Sequence, residues 1–155
     1  AKQLPVKAKY IIPHNIDLTI KFLGDTPDDK LDEVKKLLGQ VKFKPFRAMP
    51  NGSGVFTEDF IRVVWAGLTP SEKFEELHVL ADNALHPLVK REKRFQAHLT
   101  IARVKYVEDK EAFLKEIKNL RVEPKTFDVN KLVLFQSKLS PKGATHTPLL
   151  EIMAE

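Results

Sequence analysis

Three stretches of the chain repeat apolar residues at helical spacing, each behind a start signal. After Thr26-Pro27-Asp28-Asp29, the residues Leu31, Val34, Leu37 and Leu38 share one face, and Gly39 can end the helix. The threonine reads as an N-cap, the proline as the first helical residue and the acids as first-turn charges. Thr69-Pro70-Ser71-Glu72 repeats the device and adds a capping box, with a glutamate three residues after the threonine. The helix it opens would bury Phe74, Leu77, Ala81, Ala84, Leu85 and Leu88. A third helix begins near Glu108-Asp109 and turns Phe113, Ile117 and Leu120 inward.

Between these lie segments with the two-residue period of strands. Asp17 to Leu23 alternates, with Leu18, Ile20 and Phe22 on one face and Asp17, Thr19 and Lys21 on the other. Ala97 to Val104 follows the same alternation, and Phe60 to Ala66 is rich in strand formers. Tyr10-Ile11-Ile12 is short and stopped by Pro13, while Lys131 to Ser137 and Pro148 to Met153 close the set. Asn51-Gly52-Ser53-Gly54 and Ser140-Pro141-Lys142-Gly143 read as tight connections. The order predicts an α+β fold, with helices packed on one or both faces of antiparallel or mixed sheet, in a single domain over residues 1–155.

Composition narrows the chemistry. The 155 residues contain no cysteine, which excludes a disulfide framework, a thiolate nucleophile and a Cys-based zinc site. The apolar stretches are too short to span a membrane, and no segment reads as a signal peptide, so the cytoplasm is the expected address. A net charge of +5, from 26 basic and 21 acidic residues, permits a phosphate-bearing ligand without demanding one. There is no phosphate-cradling glycine loop, dinucleotide fingerprint or His-Glu-x-x-His.

One internal echo carries candidate chemistry. Asp17-Leu18-Thr19-Ile20 and His98-Leu99-Thr100-Ile101 are both X-Leu-Thr-Ile, each followed by basic residues (Lys21; Arg103 and Lys105). In a strand, Asp17 with Thr19 and His98 with Thr100 would each share a face. An imidazole titrating near neutrality moves protons to and from water or a leaving oxygen, and threonine hydroxyls donate to phosphate oxygens. Such a set suits phosphodiester chemistry. Taken alone, however, a strand-edge histidine and strand threonines need no function, and a tetrapeptide this short recurs by chance.

A wider pattern gives the motif its meaning. Phe95-Gln96-Ala97-His98-Leu99-Thr100-Ile101-Ala102-Arg103-Val104 resembles the second His-x-Thr-x motif of the 2H phosphoesterases, in the branch of 2′-5′ RNA ligase-like proteins or RNA 2′,3′-cyclic phosphodiesterases. Asn15 to Gly24 resembles the first motif, Val55-Phe56 with Ile61 to Gly67 the strand pair between the motifs, and Ser137 to Gly143 the loop before the last strand. The resemblance runs in order along nearly the whole chain. It implies two lobes of antiparallel or mixed sheet around a central cleft with helices on the outer faces. It also implies an apolar strand and helix ahead of the first motif, which this chain starts too late to hold together.

The resemblance further implies catalysis by two histidines, one the base and one the acid on opposite sides of the phosphorus, with two threonines holding the phosphate. No metal and no nucleotide cofactor are implied. His98, Thr100 and Thr19 carry over as catalytic-site residues, and Asp17 stands where the first histidine belongs. An aspartate of ordinary pKa, about 3.9, is ionised at neutral pH. Beside an anionic phosphodiester it adds repulsion on the order of a few kcal/mol at about 4 Å. His98 would then be the proton donor or principal base, with Asp17 a poor partner. His14 is an alternative partner, although its odd spacing from Asp17 sets it on the opposite strand face.

Lys21, Arg103, Lys105 and Arg62 are candidate phosphate contacts, each equally readable as a solvated charge. His146 is a candidate substrate contact. Phe56 and Trp65 could stack on a base, although strand aromatics are more often core. His78 and His86 read as surface or boundary residues of the second helix. Two functions follow. One is an enzyme, a monomer acting on RNA termini or cyclic nucleotides, that opens 2′,3′-cyclic phosphates to 2′-phosphates and joins 2′-5′ ends in reverse. The other is a catalytically impaired RNA- or nucleotide-binding module that keeps the cleft.

Overall fold

In the computed structural model, which describes residues 6–10, 18–120 and 125–155, the His98 motif opens the strand that organises the larger sheet. The elements run β1 (Val6–Tyr10), α1 (Asp28–Gly39), β2 (Phe46–Val55), β3 (Val63–Thr69), α2 (Ser71–Leu85), β4 (His98–Val107), α3 (Lys110–Asn119), β5 (Phe127–Val129), β6 (Lys131–Ser140) and β7 (Gly143–Met153). Five strands form one sheet in the order β1-β4-β3-β2-β5, and β6 and β7 form a separate antiparallel hairpin. The fold is α+β with antiparallel sheet, as the sequence predicts.

Backbone contacts divide the chain into two compact units. One comprises residues 1–20, 48–74 and 96–127, and the other residues 21–47, 75–95 and 128–155. In the first, β3 alternates strictly: Val64, Ala66 and Leu68 are buried, while Val63, Trp65 and Gly67 face the other way. Val64 joins Ile61, Ala102, Val104, Phe113 and Ile117 in a core between the sheet and α3. Asp109 caps α3 by accepting a hydrogen bond at 3.0 Å from the Ala112 N–H. In the second unit, α1 packs on β7, with Val34 and Leu38 buried on the predicted face. Leu77, Ala81 and Leu85 of α2 are buried as well.

Several local expectations need correction. Residues 18–23 form no strand, although their polar and apolar residues alternate. Leu18 and Ile20 are half-buried and Thr19 is exposed, but no ladder forms and the pattern then inverts, with the Lys21 side chain buried and Phe22 exposed. Asn51-Gly52-Ser53-Gly54 is not a connection but lies inside β2. The strand register slips between Pro50 and Ser53, and Gly52 takes the positive φ of 73° that the irregularity needs.

Thr26 does not cap α1: its hydroxyl bonds the Gly24 carbonyl, and Pro27 occupies the cap position. Thr69 completes β3 instead of forming a capping box, and α2 begins at Ser71. The hairpin turn at 140–143 forms as expected, closed by the Ser140 hydroxyl donating to the Gly143 carbonyl at 3.0 Å. No helix among the described residues is long and apolar enough to cross a membrane.

Phe113 is fully buried in the first unit's core. Phe113→Ala should therefore cost about 3–5 kcal/mol in urea unfolding, and a loss under about 1 kcal/mol would show that this core is not the unit's main support.

Candidate active site

β4 has two tasks that conflict under strict alternation. His98 and Thr100 must share one face, yet Ala102 and Val104, which continue the same period, are core residues at 0% and 4% exposure. An irregularity resolves the conflict. Across β3, Gly67 pairs with His98 and Trp65 with Thr100, but Val64 pairs with Ala102, which leaves Ile101 as an extra residue. The bulge flips the phase of the strand. Upstream, His98 and Thr100 lie on the Trp65 and Gly67 side; downstream, Ala102 and Val104 lie over the core with Val64. A second slip against β1, at Lys105, turns Val107 back onto the core.

The open face around His98 is built from small and aromatic residues. A Cβ on Gly67, directly opposite His98, would sit 2.5 Å from the Asn51 carbonyl oxygen, so only glycine fits there. Gly54 faces Trp65, and a Cβ there would lie 2.8 Å from the indole, which therefore lies against bare backbone. The ring of Phe56 packs on Trp65 at 5.8 Å and meets the His98 imidazole edge-to-face at 4.8 Å and 86°. The Trp65 Nε1 is buried and has no hydrogen-bond partner among the described residues.

His98 Nδ1 lies 2.8 Å from the carbonyl oxygen of Gln96. A carbonyl only accepts, so Nδ1 carries the proton in the neutral ring and Nε2 keeps its lone pair. Nε2 is thus the nitrogen through which His98 exchanges protons.

The other expected residues are dispersed. Thr19 is exposed in the first unit, just ahead of the bend at Ile20. Arg103 pairs across from Val63 and is exposed, and Lys105 is exposed at the second slip. The Arg62 guanidinium lies over the Phe60 ring at 4.1 Å. His146, in the second unit, pairs across the hairpin from Ser137; its Nδ1 is 2.8 Å from the serine hydroxyl, and Phe135 stands 6.1 Å away. Asp17 and His14 lie outside the described residues. Among the described residues, no three His, Asp or Glu side chains are grouped to hold a metal ion.

Lys21 has a different role from the phosphate contact expected of it. Its ammonium, with the side chain only 2% exposed, donates to Asp82 at 2.7 Å and to the Lys90 carbonyl at 3.1 Å. Asp82 also receives the Glu92 N–H and lies 3.4 Å from the Arg91 guanidinium. Glu92 in turn accepts from the Phe22 N–H. One carboxylate on α2 thus ties the chain just after the first motif to the loop that leads into the second. Lys21 beside it, helped by the Glu92 N–H and His78, holds the Asp82 carboxyl below the usual carboxylate range despite its burial. His78 is not a surface residue. It is buried, stacked flat on Phe95 at 4.4 Å, with its Nδ1 3.8 Å from Glu92. Sequence spacing hid this cluster, because Lys21 and Phe22 are 61 to 70 residues from their partners in it.

Comparison with known proteins agrees with the motifs. The sequence profile of the 2′-5′ RNA ligase superfamily matches residues 13–140, which include both X-Leu-Thr-Ile motifs. The chain belongs to this superfamily. A relative from Methanothermobacter thermautotrophicus, named RNA 2′,3′-cyclic phosphodiesterase, is 30% identical over 96% of this chain and 83% of its own length. One of the same name from Aquifex aeolicus is 35% identical over 96% and 82%. The crystal structure of TT0787 from Thermus thermophilus superposes with a TM-score of 0.77 at 27% identity, over 94% of this chain and 81% of that one. In this 2′-5′ RNA ligase-like chain, the matched residues include the bulged strand and its histidine.

A depressed Asp82 pKa stabilises the fold fully above the unfolded value of about 3.9, and that stabilisation is lost as pH falls through the lower folded value. Asp82→Asn leaves the buried Lys21 ammonium unpaired and should cost roughly 3 kcal/mol at pH 7. The difference from wild type should shrink below about pH 4. Unfolding curves for the two proteins that stay parallel from pH 7 into that acid range would contradict the assignment.

Proposed function

We propose that this chain hydrolyses 2′,3′-cyclic phosphates on RNA termini or nucleotides to 2′-phosphates, with His98 as the proton-transferring residue and no metal in the reaction. The observation that carries the reading is His98 itself. It sits in the family's motif on the open face of β4, with Nδ1 engaged by the Gln96 carbonyl and Nε2 left to exchange protons. The names of the Methanothermobacter and Aquifex relatives support the reaction class.

Water adds to phosphorus as the bond to the 3′ oxygen breaks; one proton leaves the water and one reaches the 3′ oxygen. His98 takes one of these transfers through Nε2. Thr100, on the same strand face, and Thr19 donate to the non-bridging oxygens as charge builds there. Arg103, exposed on the strand face that His98 and Thr100 share, is the proposed contact to the rest of the substrate. Asp17, in the position of the first histidine, is the weaker partner for the second proton, because an ionised carboxylate is a poor acid and repels the phosphate. A 5′-hydroxyl taking the place of water would open the cyclic phosphate in the same way, forming a 2′-5′ linkage as the bond to the 3′ oxygen breaks and a proton passes from the 5′-hydroxyl to the 3′ oxygen.

Asp17 also favours a second reading, in which the site binds cyclic phosphates and turns over little. Hydrolysis of a nucleoside 2′,3′-cyclic phosphate separates the readings. His98→Ala should lower kcat by at least about 10³-fold while EDTA leaves the wild type unchanged. Full activity in His98→Ala, or loss in EDTA, contradicts the proposal. Asp17→His should raise kcat about tenfold or more if the aspartate limits the second proton transfer. Salt-sensitive binding without turnover in wild type, relieved by Asp17→His, would establish the binding module instead.

A further inference from the structure

Phe56 lies just past the end of β2, and half its surface, 52%, is open to solvent. An exposed aromatic beside a nucleotide site invites a stacking role, yet its geometry is directed elsewhere. The ring is already in edge-to-face contact with the His98 imidazole at 4.8 Å and 86°, and Trp65 backs it at 5.8 Å. Trp65 has little freedom to yield, because it is laid against Gly54 with no room for even one Cβ between them. Its buried Nε1 has no hydrogen-bond partner among the described residues, and Trp65 meets Phe56 through its ring.

Among the described residues, one hydrogen bond, from Nδ1 to the Gln96 carbonyl, holds the imidazole. A single hydrogen bond tolerates a spread of angles and so opposes rotation about χ2, whose own preference is broad, only weakly. A second contact at the ring removes that freedom. We propose that Phe56 is a positioning residue for His98: with Trp65 and Gly54 behind it, it holds the imidazole in the orientation where Nδ1 bonds Gln96 and Nε2 meets the substrate. This rests on the cyclic-phosphate reading of the site, and it assigns Phe56 to the histidine and not to the base.

Kinetics on two substrates test it: a nucleoside 2′,3′-cyclic phosphate, and methyl riboside 2′,3′-cyclic phosphate, which has no base to stack. Phe56→Ala should lower kcat about ten- to a hundredfold on both, with KM within about twofold, and Phe56→Tyr should restore most of it. A kcat within about twofold of wild type overturns the proposal, as does a loss confined to KM of the base-bearing substrate. If Phe56→Ala fails to fold, Phe56→Leu carries the same comparison.

NMR of the free protein gives an independent readout. The carbon-bound ring protons of His98 should carry a ring-current shift that disappears in Phe56→Ala but persists in Phe56→Tyr; shifts unchanged in the alanine variant overturn the proposal. If the wild type hydrolyses neither substrate, the proposed reaction fails, and the NMR result alone decides the role of Phe56.

Discussion

A strand has a period of two, and β4 is asked to break it. Its first residues must show His98 and Thr100 to the open side, and two residues further on, the same parity of positions must supply Ala102 and Val104 to the core. No regular strand can do both. The extra residue at Ile101 costs a ladder position but shifts the phase, and the side chain of Ile101 itself packs against the core. Presentation of His98 and burial of the core are served by successive halves of one strand. The packing of Phe113 and Ile117 under Ala102 and Val104 therefore fixes the frame in which His98 is presented.

A second constraint acts through charge. Lys21 and Asp82 are both nearly removed from solvent, and a buried ion pair is stable only when its remaining donors and acceptors are satisfied. Here the Lys90 carbonyl takes a second ammonium proton, and the Glu92 N–H and the Arg91 guanidinium add to the carboxylate. The arrangement fastens the segment after Thr19 and the loop before His98 to the same helix. It spends a conspicuous lysine of the first motif on architecture instead of on substrate.

What the sequence reveals follows from which forces are local. The helix faces were legible because burial repeats with the helical period: Val34 with Leu38, Leu77 with Ala81, and Phe113 with Ile117 are buried as predicted. The His98 motif was legible because X-Leu-Thr-Ile recurs in the sequence and lies in a stretch that resembles a family motif. The bulge at Ile101 was not, since a register slip is defined by the partner strand. β2 was missed for a related reason: Asn51-Gly52-Ser53-Gly54 has turn composition, but these glycines serve a strand irregularity and the close approach of Trp65. Likewise, residues 18–23 alternate like a strand, and the deep burial of Lys21 shows only in its pairing with Asp82, 61 residues away.

These constraints converge on one atom. Strand phase sets the side of the sheet on which His98 stands, and the Gln96 carbonyl sets which of its nitrogens is free. That tautomer is what places the proton-exchanging lone pair on Nε2. Long-range ¹H–¹⁵N correlation of the His98 ring, at a pH where the imidazole is neutral, reads it directly. Nδ1 should be protonated and Nε2 unprotonated. A neutral ring with its proton on Nε2 would mean that the Gln96 bond does not govern the histidine.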